Sequence, residues 1–396
     1  MSVNLFILTF FGLCYITFAS DDRLTLPVDK EVNLIRHNKD YVYFPNVFKS
    51  NYTNFNNTRI SLILHCSNDY INSGFSKHVQ NWKGPISLGI YIRTTRIASN
   101  PTICTYCTLK KVANLTQNTF VHFIYAVNAN SSIKPTGPFF TTFLSSINCE
   151  NEEIVKKSCT KQVFTITEKA RRTTEYPINV VRNIARILSK TDYIIIADFD
   201  HMFSENFEQK LLPLAKIHLT NDSRKALTYR IFEVDESVEI MPKNKSTLFS
   251  LMAKKKANIF HSYYPEGHTI SRLQEWINTK DSATPEIQFE EKYIRSTWEP
   301  QFCSNRNIPP FDETFYYPLR DNTELRWELC RQNYTFLIVN DVFMYHIGTK
   351  KPTDLSIVQM ARSLVSKRIK KISYNFKKRM NTLYPETKDK CPIIDI

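Results

Sequence analysis

A strand that runs straight into two carboxylates constrains this chain more than any other feature. Tyr193-Ile194-Ile195-Ile196-Ala197 is a short, unbroken apolar run, and it stops on Asp198-Phe199-Asp200. Such runs suit strands buried on both faces of a largely parallel sheet. Acids at i and i+2 deliver a pair of hard oxygen ligands to the edge of that sheet, where a divalent cation and a phosphate can meet. The same spacing also occurs in plain acidic turns, so the rest of the chain has to decide between the two.

The surrounding pattern predicts the same class of fold. Strands are expected at Ser61–His65, Pro85–Ile92, Phe120–Tyr125, Ala226–Val234 and Thr335–Val339, and helices near Phe75–Trp82, Phe207–His218 and Ser246–Lys255. Apolar strands alternating with helical patterns indicate an α/β domain with a mainly parallel central sheet flanked by helices. The clearest helix before the acidic pair runs from Pro177 to Ser189. Val180, Val181, Ile184, Ile187 and Leu188 form its apolar stripe, while Asn179, Arg182, Asn183 and Arg186 share a polar face. That face suits either solvent or a nucleotide. The region up to Pro310 reads as aromatic and loop-rich. A long helix ends the chain, with Ile357, Met360, Ala361, Leu364, Val365, Ile369, Ile372 and Phe376 on one side and many Lys and Arg on the rest, the pattern of a solvated basic helix packed on the domain.

Composition narrows the chemistry. There are only 7 glycines in 396 residues, with no G-x-G-x-x-G and no G-x-x-x-x-G-K-[ST]. This argues against a Rossmann dinucleotide site and a P-loop, and favours a metal, Arg and Lys over a glycine nest for holding any phosphate. The first 19 residues are mostly apolar and read as a signal peptide cleaved after Ala19 or as an uncleaved signal-anchor; residues 20–57 read as a short polar stem, and 58–396 as the globular domain. Seven N-x-[ST] sequons and eight cysteines after the leader agree with a secretory lumen, where an even number of cysteines reads as disulfides. Cys104-Thr-Tyr-Cys107 has zinc-like spacing, but no second pair follows it. The net charge of +14 would ordinarily suggest nucleic acid. A secretory context favours an anionic sugar nucleotide, an acidic glycan or a membrane surface instead.

Near the end of the chain, a strand leads into His346-Ile-Gly-Thr-Lys350-Lys351-Pro352. An imidazole can complete a cation site begun by two carboxylates, and Mn²⁺ accepts such a mixed nitrogen and oxygen set. With this motif the chain resembles glycosyltransferase family 49. The matching segments are Trp82-Lys-Gly-Pro-Ile-Ser-Leu, Tyr176-Pro-Ile-Asn-Val-Val-Arg-Asn183, the strand into Asp198-Phe-Asp200, and Met241-Pro-Lys-Asn-Lys245. Phe260-His261 with Gly267-His268, Pro310-Phe-Asp312-Glu-Thr-Phe315 and Val339-Asn-Asp-Val-Phe-Met-Tyr-His346 follow in the same order.

The resemblance implies a GT-A nucleotide-diphospho-sugar transferase fold, a UDP-sugar donor, a divalent metal (Mn²⁺), inversion at the anomeric carbon and a glycan acceptor on a glycoprotein, in the Golgi lumen. It implies that Asp198, Asp200 and His346 hold the metal, that Asn179, Arg182 and Asn183 contact the nucleotide, and that Lys350 or Lys351 faces the diphosphate; Lys351 fits the G-x-x-K-P register. Asp321 aligns with the family's polar residue and is the candidate general base, with Glu313, Asp312 and Glu233 as competitors. The segment before it, Phe315-Tyr-Tyr-Pro-Leu-Arg-Asp321, lacks the family's glycines. UDP-glucuronate is the expected donor; UDP-N-acetylglucosamine and a catalytically inactive, glycan-binding relative are the alternatives.

Overall fold

The computed structural model describes residues 34–51, 57–127, 136–349 and 352–394. The leader segment, Lys350 and Lys351 lie outside the described residues. Strands β1 (Ile35–Arg36), β2 (Tyr41–Phe48), β3 (Ile60–Ser67), β4 (Ile86–Ile92), β5 (Thr119–Ala126), β6 (Tyr193–Asp198), β7 (His201–Phe203), β8 (Lys225–Val234), β9 (Ala257–Ile259), β10 (Ile287–Glu291), β11 (Gln301–Asn305) and β12 (Thr335–Ile347) form one sheet. Its order is β1-β2-β5-β4-β3-β6-β11-β8-β12-β10, with β7 added to β12 and β9 to β8.

The parallel block β5-β4-β3-β6 makes one half of the sheet, and the parallel pair β8-β12 anchors the other; β11 joins them, antiparallel to both β6 and β8. Every residue of β3 is buried, as a strand covered on both faces must be. Leu62, Leu64 and Cys66 point into the largest apolar cluster, while Ile63 packs with Ala185 and Ile194 on the opposite face.

The helices cover both faces. They are α1 (Ser76–Asn81), α2 (Asn100–Lys110), α3 (Gly137–Ser145), α4 (Glu152–Ser158), α5 (Ile166–Thr174), α6 (Ile178–Leu188), α7 (Phe207–His218), α8 (Lys245–Ala253), α9 (Pro265–His268), α10 (Leu273–Asn278), α11 (Thr323–Arg331) and α12 (Pro352–Leu383). Helix α6 lies unusually close to β4 because Gly89 has no side chain: a Cβ there would stand 2.9 Å from Val181 Cγ1 and 3.1 Å from the Val181 carbonyl oxygen. This approach brings the polar side of α6 to the carboxyl end of β6.

Three expectations need correction. The stem does not reach residue 57, because β1 and β2 lie within it and β2 pairs antiparallel with β5. Polar His37–Asp40 and the interruption at Pro45-Asn46 hide this strand from a pattern search. The loop-rich middle contains β11, a fully buried strand at the centre of the sheet whose sequence, Gln-Phe-Cys-Ser-Asn, carries little apolar signal. The eight cysteines do not all pair. Cys104–Cys159 and Cys107–Cys149 tie α2 to α4 and its flanks, and Cys330–Cys391 ties α11 to the C-terminal segment, whereas Cys66 and Cys303 are buried free thiols. Two helix-borne cysteines one turn apart thus serve two bridges, which also disposes of zinc at Cys104 and Cys107.

Alkylation of the unfolded, unreduced protein followed by peptide mapping will label Cys66 and Cys303 and none of the six bridged cysteines. Folded protein will show neither label. Cys330→Ser will lower the unfolding free energy by about 2–5 kcal/mol in denaturant titrations; an unchanged midpoint would show that the bridge to Cys391 contributes nothing.

Candidate metal and catalytic site

The site is built where β6 ends. Register pairs His65 of β3 with Asp198. The chain then turns through Phe199 and Asp200 into β7, which runs antiparallel to the end of β12 with His201 opposite His346. This pairing brings two segments 146 residues apart into contact, and His346 Nε2 lies 3.0 Å from Asp200 Oδ2. Asp198, Asp200 and His201 place one ligand atom each within 4.8 Å of one another.

The hydrogen bonds separate the two histidines. His346 Nδ1 lies 2.8 Å from the Gly348 carbonyl oxygen, an acceptor only, so Nδ1 carries a proton and donates it. Nε2 is then the nitrogen turned towards Asp200. A ring whose far N–H is held by a backbone carbonyl is the usual arrangement of a metal-binding histidine. Burial opposes its charge, but the Asp200 carboxylate outweighs burial and raises the His346 pKa, so a cation would displace the Nε2 proton. Gly348 permits this geometry with φ +90, which a side chain would strain. His201 differs. Its Nδ1 accepts the Asp198 amide N–H at 3.3 Å, so its lone pair is engaged in holding the turn. His346 therefore offers its nitrogen beside Asp200, while Asp198, Asp200 and His201 make the tighter cluster, so a divalent cation has two carboxylates and a choice of two imidazoles here.

Both acids are held ionised. Desolvation works against Asp198, yet His65, whose Nε2 is 3.1 Å from Oδ1, the field of His201, and Arg182 keep its carboxyl well below the usual range. Desolvation likewise opposes Asp200, and the His346 bond and the His201 field outweigh it.

Arg182 is the hub behind them. It is 4% exposed. Its Nη2 lies 3.4 Å from Asp198 Oδ1, its Nη1 donates to Asp321 Oδ2 at 3.0 Å and to Asn179 Oδ1 at 3.0 Å, and its Nε is 3.2 Å from His65 Nε2. Asp321 thus sits across one guanidinium from the metal ligands. Burial pushes its pKa up to about 6, with Arg182 pulling the other way.

The side chains on the polar face of α6 are bonded largely to the protein itself. Asn179 donates to the Asp312 carbonyl at 2.9 Å; Asn183 donates to the Phe311 carbonyl at 2.9 Å and accepts the Phe311 amide at 3.0 Å. Both are buried, and they clamp α6 to the 311–313 segment. Arg186 likewise donates to the carbonyls of Arg306 and Pro309. Of the candidate nucleotide residues on α6, only Arg182 reaches the site, and it does so behind the carboxylates.

Sequence reasoning missed His201, His65 and His78. The first directly follows the acidic pair, and the second ends a strand beside it; their positions were the available signal. His78, on α1, is buried with its Nε2 2.8 Å from the Phe199 carbonyl, and Phe199 stacks on Phe75 at 5.7 Å. The carbonyl accepts, so Nε2 carries the proton, and burial keeps the ring neutral with a pKa lowered to about 4. His78 thereby fixes the peptide between the two ligands. His78→Ala will weaken Mn²⁺ binding about tenfold or more, as losses behind a metal site typically do. His78→Gln, which can keep an N–H donor at that point, will restore most of it. Titration calorimetry reads both; a lowered melting temperature with unchanged Mn²⁺ affinity in His78→Ala would refute the positioning role.

The model of glycosyltransferase family 49, described as "Glycosyl-transferase for dystroglycan", matches residues 59–385. The chain is 23% identical to mouse beta-1,4-glucuronyltransferase 1 over 336 residues, 84% of this chain and 77% of that protein. It is 24% identical to mouse xylosyl- and glucuronyltransferase LARGE2 over 184 residues, 46% of this chain and 26% of that protein. Among solved structures, GalNAc-T7 with UDP, GalNAc and Mn²⁺ aligns with 12% identity and a TM-score of 0.33 over 76% of this chain and 47% of that one. With a family match spanning nearly the whole described sheet and the acidic pair at its carboxyl edge, this chain is a glycosyltransferase of family 49, built on an α/β fold with one mixed central sheet.

Proposed function

We propose that this glycosyltransferase is a divalent-metal-dependent, inverting enzyme that transfers glucuronate from UDP-glucuronate to a glycan acceptor in the secretory pathway. The observation that carries the metal-dependent part is the oriented His346: its Nδ1 is held by the Gly348 carbonyl, and its Nε2 is turned to Asp200 beside Asp198. Glucuronate as donor rests on the similarity to the mouse beta-1,4-glucuronyltransferase 1 and xylosyl- and glucuronyltransferase LARGE2. The three disulfides support an oxidising compartment. Among the described residues no helix is long and apolar enough to cross a membrane.

A bound Mn²⁺ would be held by Asp198, Asp200 and His346 and would neutralise charge on the leaving diphosphate. Arg182 keeps Asp198 ionised and aimed. Lys350 and Lys351, immediately after the Gly348 turn, are placed in sequence to add positive charge beside the diphosphate. Asp321 is the base. In one displacement the acceptor oxygen bonds to the anomeric carbon and the bond from that carbon to the phosphate oxygen breaks. Its electron pair leaves with UDP, and the acceptor proton passes to Asp321.

Arg182 holds Asp321 Oδ2, and no hydrogen bond engages Oδ1 among the described residues. The competing acids are more fully occupied: Glu313 accepts from His37, Asn38 and Asn183, and Asp312 from Arg379 and Thr314. Glu233 accepts the His261 amide N–H. A base titrating near 6 is ionised at neutral pH and still basic enough to take the proton.

A donor screen that measures UDP release is the direct test. Turnover is expected with UDP-glucuronate, not UDP-N-acetylglucosamine, and EDTA or Asp200→Ala will abolish it. Activity surviving both treatments would overturn the metal assignment. Mn²⁺-dependent UDP binding without turnover on any donor would instead mark a glycan-binding relative, the reading favoured by the glycine-free segment Phe315–Arg320. For the base, kcat/KM will fall roughly tenfold per pH unit below about 6, because protonated Asp321 cannot accept. Asp321→Asn will lower kcat by on the order of a hundred- to ten-thousandfold and flatten that limb; an unchanged acidic limb would assign the base elsewhere.

A further inference from the structure

Helix α12 carries half of the chain's excess charge. Its 32 residues contain eight Lys and Arg against the single acid Asp354, a net +7 out of +14. The inner side, Ala361, Val365, Ile369, Phe376 and Met380, is buried against the domain. Opposite it runs an outer stripe at alternating four- and three-residue spacing: Met360, Leu364, Lys367, Lys371, Tyr374 and Lys378, all exposed, with Tyr374 69% exposed. Lys367, Lys371 and Lys378 form no ion pair among the described residues, so this row of charge is uncompensated.

The helix also has a fixed relation to the catalytic site. It begins four residues after Gly348, and its flank grips the segment that leads to Asp321. Arg362 Nε donates to the Pro318 carbonyl at 3.3 Å, and the Arg368 guanidinium lies over the Tyr316 ring at 5.7 Å. At 1.5 Å per residue the helix runs on for about 22 Å beyond Arg368.

We propose that the outer stripe of α12 is a docking track for an acidic polysaccharide whose end enters the site. This rests on the glycan-acceptor reading above and names the acceptor class as anionic. A straight row of cations is complementary to a linear polyanion, and an exposed tyrosine within it offers a ring face on which a sugar can stack. A membrane is the poorer match. An amphipathic helix binds lipid by burying its apolar face, and that face of α12 is already used by the domain.

The test reads binding without turnover, so it stands apart from donor chemistry. The probes are fluorescent heparin and hyaluronan decasaccharides, measured by anisotropy against salt. The triple variant Lys367→Glu, Lys371→Glu, Lys378→Glu is compared with Lys156→Glu, Lys157→Glu, Lys161→Glu, which changes net charge equally at exposed positions on and just beyond α4. Both retain Mn²⁺–UDP binding if folded. The α12 variant is expected to bind both probes about tenfold more weakly with a shallower salt dependence, and the α4 variant to change less than about twofold. Equal losses in the two variants would reduce the effect to net charge and overturn the track. Unchanged glycan binding in the α12 variant, or a loss confined to vesicles of phosphatidylserine and phosphatidylcholine, would overturn it as well, the latter in favour of a membrane surface.

Discussion

One buried guanidinium organises this molecule. A charge removed from water is tolerable only when its donors are matched, and Arg182 matches them to three different parts of the chain. It ties α6 to the end of β6 through Asp198, to the loop before α11 through Asp321, and to its own helix through Asn179. The close approach of α6 over Gly89 is what allows a side chain on this helix to span those points. Removing Arg182 would leave Asp198 and Asp321 without the cation between them, beside the Phe311 ring that its guanidinium covers.

The same guanidinium explains how two nearby carboxylates acquire different chemistry. Asp198, half-exposed and surrounded by His65, His201 and Arg182, stays ionised far into acid. Asp321, almost fully buried with one oxygen on Arg182, has its pKa lifted towards neutrality by burial. One is suited to a permanent negative charge and the other to proton exchange, and environment alone separates them. Behind this pair the imidazoles hold the peptide: His201 engages the Asp198 amide and His78 the Phe199 carbonyl, so the turn is pinned from both ends.

Sequence made much of this legible, for reasons that can be named. Strands β3, β4, β5 and β6 and helix α7 stand out because apolar period and turn residues agree over their whole length. Strand β11 escapes because Gln301, Ser304 and Asn305 are buried through register and hydrogen bonding rather than hydrophobicity, and β2 because Pro45 and Asn46 interrupt it. The acidic pair and His346 were readable as a motif. What they need around them was not, since a histidine behind a site leaves no periodic trace. The polar face of α6 misleads in the opposite direction: amides that look available in a helical projection are consumed by carbonyls of a segment more than a hundred residues away, and only the folded chain brings that segment there.

That distance in sequence has a consequence for how the enzyme matures. The register of His201 opposite His346 joins strand residues contributed early to the last strand of the sheet. Contacts of such long range form late, because the entropy of closing a large loop must be overcome before they contribute. A partly synthesised or partly folded chain can form β6 and the turn that carries Asp198 and Asp200 and still lack His346 beside them. On the proposed ligand set, capacity to bind a cation would arrive together with closure of the sheet.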